Sequence, residues 1–175
     1  MQSLSKDELR ALLTHAKASS ERDWLMILVA YWHGLRASEI CGLTAGDIED
    51  GHITVQRLKG SLKTTQPLMQ HSDELLNEHA LVEFIQGMHS EQRVFSVSRV
   101  TFWRRMQQYG RAANIPAHKL HPHSLKHTCA MHYIKPTGIE NVRQWLGHKS
   151  ISSTGEYLKV SDEAAAAAIQ SAAHD

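Results

Sequence analysis

Apolar positions recur at helical spacing from the start of the chain. Leu4, Leu9, Leu12 and Leu13 fall on one face, and Ser5 and Glu8 stand where a capping box would open, so a first amphipathic helix is expected to run to about Ala18. From Glu21 to His33 the chain is apolar almost all round, which marks the most buried helix, and Gly34 stops it. Between Ile48 and Met69 the period shortens to alternation. Residues 52–56 and 64–68 read as short strands around a hairpin tip at 59–63 that presents Lys59 and Lys63. Helical spacing returns at Ser72-Asp73-Glu74 and carries Leu75, Leu76, Leu81, Phe84 and Ile85 to the region of Gly87, after which Val94-Phe95 reads as a short strand. Ser98 caps a basic helix to about Ala113, with Val100, Trp103, Met106 and Tyr109 as its core positions. Pro116, Pro122 and Pro136 punctuate the helices that follow, and Ser161-Asp162-Glu163 caps a last, alanine-rich helix that ends near Ala172.

This order of elements predicts a mixed α/β, mostly α-helical fold with a small antiparallel sheet or hairpin. A chain of 175 residues is long enough for one well-buried domain, and no repeat, low-complexity tract or linker divides it, so residues 1–175 are read as a single domain. The longest apolar run, Trp24 to Trp32, is nine residues, where a membrane span needs about 20. No signal peptide opens the chain, and Cys41 and Cys129 lie far apart without a CxxC pattern, which fits a reducing cytoplasm.

Charge changes the picture. The net charge of +1 hides a segregated field, because residues 98–149 hold nine Lys or Arg against a single acid, Glu140, and the remainder is net acidic. Segregation of this kind is expected of a surface that meets polyanionic phosphate, or of solvated helix faces. Arg99, Arg104, Arg105 and Lys149 are the phosphate-contact candidates within it.

Five histidines lie between 118 and 132, and His123 and His127 share a helix face at the i, i+4 spacing of zinc-binding helices. No Glu follows His123, however, and no carboxylate occurs from Lys119 to Ile139 to serve as third ligand or base, so a histidine-ligated metallohydrolase is a distant alternative and no metal is expected. No cofactor is expected either.

The motifs fall in a telling order. Gly34-Leu35-Arg36-Ala37-Ser38-Glu39 follows the buried helix; a lysine-bearing hairpin comes next, then His123-x-x-Lys126-His127-Thr128, then Leu146-Gly147-His148, and a tyrosine, Tyr157, nine residues on. This ordered set resembles the catalytic domain of the tyrosine recombinases, or phage integrases, across essentially the whole chain. Arg36-Ala-Ser-Glu-Ile-Cys, the Arg57-Leu-Lys hairpin with Thr-Thr-x-Pro-Leu, and His121-Pro-His are most similar to the short fimbrial phase-switch recombinases and single-domain integrases. The family's core-binding domain, which would precede Leu4, is expected to be absent.

The resemblance implies a site-specific DNA recombinase that cuts and rejoins strands through a 3′-phosphotyrosyl intermediate, without metal or ATP. It makes Tyr157 the nucleophile, Arg36 a phosphate-binding arginine supported by Glu39, and Lys59 the hairpin lysine that protonates the leaving 5′ oxygen, with Lys63 close enough to compete. His123 and His148 match the family's two histidine positions, while Lys126 stands where the family has its second arginine. That substitution admits an alternative, a catalytically impaired DNA-binding or regulatory relative. The implied partner is double-stranded DNA, met by a multimer assembled through the C-terminal helix 162–172, in the cytoplasm and on the nucleoid when bound.

Overall fold

The Ser5 hydroxyl accepts the Glu8 amide at 3.0 Å and so caps α1, Lys6–Ser19, in the computed structural model, which describes residues 3–58, 61–155 and 161–174. Ser20 does the same for α2, Glu21–His33, whose residues from Asp23 to His33 are all buried. This helix is the axis of the core and packs against α1 and, on another side, α6, Pro122–Thr137. The segment ahead of α1 is pinned to α6 as well, because the Leu4 amide donates to Thr128 Oγ1 and the Leu4 carbonyl meets His132 Nε2, both at 2.9 Å.

After α3, Ala37–Gly42, and a 3₁₀ turn at Ala45–Asp47, three antiparallel strands follow in the order β1, Ile48–Glu49, β2, His52–Val55, and β3, Thr64–Pro67. Ile53 lies opposite both Ile48 and Gln66. The hairpin is the one read from the alternation, one residue shorter on each strand. The added β1 is two residues long, too short to carry a period.

The helix expected from Ser72 to Gly87 breaks in two. A 3₁₀ turn, Glu74–Leu76, is separated from α4, Ala80–Phe84. The reason lies in α2: the Trp24 and Trp32 indole N–H groups donate to the Leu75 and Leu76 carbonyls at 2.9 Å, drawing off acceptors a continuous helix would need. Val94-Phe95 is no strand either; Val94 N donates to Leu43 O, and the bridge there is an isolated one between Thr44 and Arg93.

Ser98 caps α5, Arg99–Ala112, as expected, but the buried row is Phe102, Met106, Gln107, Tyr109 and Gly110. Val100 and Trp103 are exposed, at 56% and 43%. A row stepping strictly by three drifts off a helical face, and the core follows the 3.6-residue period instead. Pro136 does not stop α6, which runs on to Thr137 with one i→i−4 bond fewer; the helix ends one residue later. The remaining helices are α7, Ile139–Leu146, α8, Ile151–Gly155, and α9, Asp162–Ala173, whose residues are exposed throughout. Among the described residues no helix is long and apolar enough to cross a membrane.

Candidate active site

Gly34 ends α2 in the left-handed conformation at φ +59°, and a Cβ there would collide with the Leu146 side chain of α7. The chain then delivers Arg36 to the N-cap of α3. Glu39, buried one turn on, accepts the Arg36 amide through Oε1 at 2.7 Å and the Leu58 amide through Oε2 at 3.0 Å, while the Arg36 guanidinium lies 3.6 Å from Oε2. Arg36 Nη1 also donates to the Leu58 carbonyl at 3.2 Å. One carboxylate therefore fixes an arginine and the outgoing limb of the hairpin together.

Arg57, to which the sequence reading gave no role, holds this region from behind. It is 3% exposed, and its guanidinium donates to Thr64 Oγ1 and to the carbonyls of Gly34, His33 and Trp145, at 2.9–3.0 Å. Burial pushes it down to about 10, against the pull of Glu39. Its carbonyl partners belong to the C-terminal ends of α2 and α7, where helices present partial negative charge. The signal was a charged residue leaving a strand, which has no address until the fold supplies one.

Lys126 lies on α6 with its stem beside Gly34. It is 6% exposed, and its ammonium has no hydrogen-bond partner among the described residues. Burial lowers it to about 8; Arg36 and Arg57 push the same way and Glu39 opposes them. His148 follows the left-handed cap Gly147 of α7, φ +71°. Its Nδ1 meets Thr154 Oγ1 of α8 at 2.8 Å, and its carbonyl accepts Arg143 Nη1 at 3.0 Å. Burial, then Lys126 and Arg36, bring it down to about 4, so the imidazole is neutral near pH 7. With Nδ1 taken by Thr154, Nε2 is the nitrogen left to face a ligand.

Arg36, Glu39, Lys126 and His148 thus act on one another electrostatically across α3, α6 and the end of α7. His123 is exposed, in a first turn of α6 whose other residues are buried. Lys59 and Tyr157 lie outside the described residues; Lys63 is exposed. Of the basic-surface candidates, Arg99, Arg104 and Lys149 are exposed, whereas Arg105, its side chain 40% exposed, is engaged by its neighbours, 3.4 Å from buried Asp23 and bonded to Gln108.

Fold and site define a small helical domain that concentrates buried positive charge around one carboxylate. The chain belongs to the phage integrase family, which matches residues 2–164. It is 33% identical over 168 residues to tyrosine recombinase XerA of Pyrococcus furiosus, covering 90% of this chain and 57% of that one. To tyrosine recombinase XerD of Yersinia pestis it is 31% identical over 173 residues, covering 91% and 58%. The chain therefore spans under two thirds of the length of these relatives. Among solved structures, XerA recombinase superposes with a TM-score of 0.72 at 25% identity, covering 98% of this chain and 63% of that one. A lambda integrase dimer bound to a COC′ core site gives 0.72 at 21%, covering 92% and 51%, a likeness of fold.

Proposed function

We propose that this chain is the catalytic portion of a site-specific DNA recombinase that breaks and rejoins strands through Tyr157. One observation carries the reading: Arg36, Lys126 and His148, from three separate segments, converge in one place where burial first, and their mutual repulsion second, depress both Lys126 and His148, an arrangement an anion would relieve.

The scissile phosphodiester is that anion. Attack by the Tyr157 phenolate forms a bond to phosphorus and breaks the bond to the 5′ oxygen, which leaves as a hydroxyl after taking a proton from Lys59. Negative charge builds on the non-bridging oxygens, and fixed donors stabilise it without reorganising. Arg36, held by Glu39, and Lys126 supply cations; neutral His148 donates from Nε2 while Thr154 donates to Nδ1; His123 contributes from the first turn of α6. The 3′-phosphotyrosyl link retains the energy of the broken ester, so a second strand's 5′ hydroxyl can reverse the step without ATP.

The DNA is double-stranded, and Arg99, Arg104 and Lys149 are proposed as contacts to its backbone. Similar folds have been solved as a dimer on a core site and a tetramer on a Holliday junction, which supports assembly as a multimer on DNA. The exposed alanine-rich α9 is the proposed contact between copies, and the cytoplasm, on the nucleoid, is the proposed location.

A nicked suicide substrate tests the reading. Wild type should trap a DNA adduct that survives denaturation and excess EDTA, and Tyr157→Phe should not. An adduct that persists in Tyr157→Phe, or wild type that never forms one, would overturn it.

A further inference from the structure

Beside the cluster of cations lies a second buried polar group that the proposed chemistry does not use. His33, the last residue of α2, is fully buried, and so is Glu78, in the loop before α4. His33 Nδ1 is 2.7 Å from Gln66 Oε1, and Nε2 is 2.7 Å from Glu78 Oε1. The Gln66 amide has a defined orientation, because its Nε2 donates to the Trp145 carbonyl at 2.6 Å; its oxygen must then accept, and His33 Nδ1 must carry a proton. Glu78 Oε1 already accepts the Met69 amide at 2.5 Å, which marks it as an acceptor facing Nε2. Both ring nitrogens therefore face acceptors, and a histidine that donates twice is an imidazolium.

The ring also stacks on Trp145, with centroids 5.6 Å apart, and the Trp145 indole donates to the Trp32 carbonyl at 2.7 Å. Among the described residues, ionisable groups packed about this node include Arg57, which holds the His33 carbonyl, His71 and Tyr133, whose rings lie against Trp32, and on α6 Lys126 and Cys129, the latter bonded to the Trp32 carbonyl and pushed by burial to about 12. Glu78 is the acid bonded to the ring; its Oε2 has no partner among the described residues. A buried pair of this kind gains little net stability over an apolar packing, and in some proteins it serves instead to specify one arrangement.

The arrangement it specifies is that of the site. Arg36 lies three residues beyond His33, His148 three beyond Trp145, and Gln66 on the strand that returns from the Lys59 hairpin. We propose that His33, as an imidazolium held by Glu78, is a positioning residue: through Gln66 and Trp145 it clamps the ends of α2 and α7 and strand β3, and so sets His148 against Arg36. Its effect on cleavage rests on the recombinase reading; its protonation and its coupling to His148 do not.

The test has two arms. In the DNA-free protein, nitrogen-edited NMR should find two N–H protons on the His33 ring at neutral pH and one in Glu78→Gln, and the His148 ring signals should move in His33→Gln. A His33 ring with a single proton in wild type, or unmoved His148 signals, overturns the proposal. In single-turnover cleavage of the nicked duplex, His33→Gln, which keeps a donor toward Glu78 but not toward Gln66, and Gln66→Met should each slow the reaction at least about tenfold. Their DNA dissociation constants should stay within about twofold of wild type. Having both variants guards against misfolding of either, and cleavage at the wild-type rate by a folded variant also overturns the proposal. Wild type that fails to cleave at all counts against the recombinase reading, and the NMR arm then decides the clamp.

Discussion

The carboxylate of Glu39 accepts the backbone amide of Leu58 at 3.0 Å, so an acid on α3 holds the residue just ahead of Lys59. The same side chain takes the Arg36 amide at 2.7 Å and faces its guanidinium. Removing the acid leaves two amide donors without acceptors, and such losses cost about 1–3 kcal/mol each. Glu39→Ala should therefore lower stability by about 2–6 kcal/mol in urea unfolding. Under conditions where the variant remains folded, its cleavage should still be at least about tenfold slower than wild type, about 1.4 kcal/mol of barrier. Glu39→Gln keeps one acceptor and should fall between the two.

Lys126 gives a pH signature that an arginine there would not. Its pKa is lowered by burial to about 8, so the cation that would meet the phosphate is lost as pH rises through about 8. Arginine stays protonated throughout. Near neutrality Lys126→Arg should gain little and Lys126→Ala should abolish cleavage. Above pH about 8 the ratio of Lys126→Arg to wild-type rate should climb. Comparing rates at each pH cancels the opposing gain from ionisation of the tyrosine nucleophile. A ratio flat to pH about 10 would remove the Lys126 ammonium from the rate-determining charge.

His148 makes a prediction about stability. Its folded pKa, lowered by burial to about 4, lies below the unfolded value, so between about 4 and 6.5 the unfolded chain binds more protons and stability rises with pH. Equivalently, stability is lost as pH falls through that window. His148→Asn has no such group, so the slope of its urea midpoint against pH between 4 and 6.5 should be shallower than that of wild type. Equal slopes would mean that His148 takes up its proton as readily folded as unfolded.

Local rules carried much of the fold. Ser5, Ser98 and Ser161 each accept an amide three residues on, so a serine before an apolar-periodic run was enough to place three helix starts; Ser20 caps α2 in the same way, although that helix was read from its apolar run alone. The order of short motifs likewise brought Arg36, Glu39, Lys126 and His148 into one reading before any geometry was known. What could not be read depends on partners distant in sequence. The break after Leu76 is set by tryptophans 44 and 51 residues away, and Arg57 has its role from carbonyls on two helix ends. His33 looked like the end of an apolar run because nothing local identifies Glu78 as its counter-ion. Trp103 looked like core because a step of three mimics a helical face over one or two turns.

Gly147 joins backbone geometry to chemistry. It adopts φ +71°, a conformation that costs a residue with a side chain about 1–2 kcal/mol. A Cβ there would also stand 2.6 Å from the Leu62 carbonyl oxygen and 2.9 Å from Arg57 Cγ. Neither neighbour can yield freely: the Leu62 amide donates to the Gly147 carbonyl at 2.8 Å, and Arg57 is bonded to three carbonyls and a hydroxyl. Gly147→Ala should therefore destabilise by at least about 2 kcal/mol, strain and displaced hydrogen bonds together. Because His148 is the next residue, cleavage should fall further than the loss of folded protein explains, when both are measured on the same sample. Gly42→Ala is the control: a Cβ at Gly42 meets nothing within 4 Å and its φ is ordinary, so that change should be neutral or stabilise by about 0.5–1 kcal/mol. A Gly147→Ala protein as stable as Gly42→Ala would mean that the turn before His148 can move aside, and that the hairpin does not fix the position of His148.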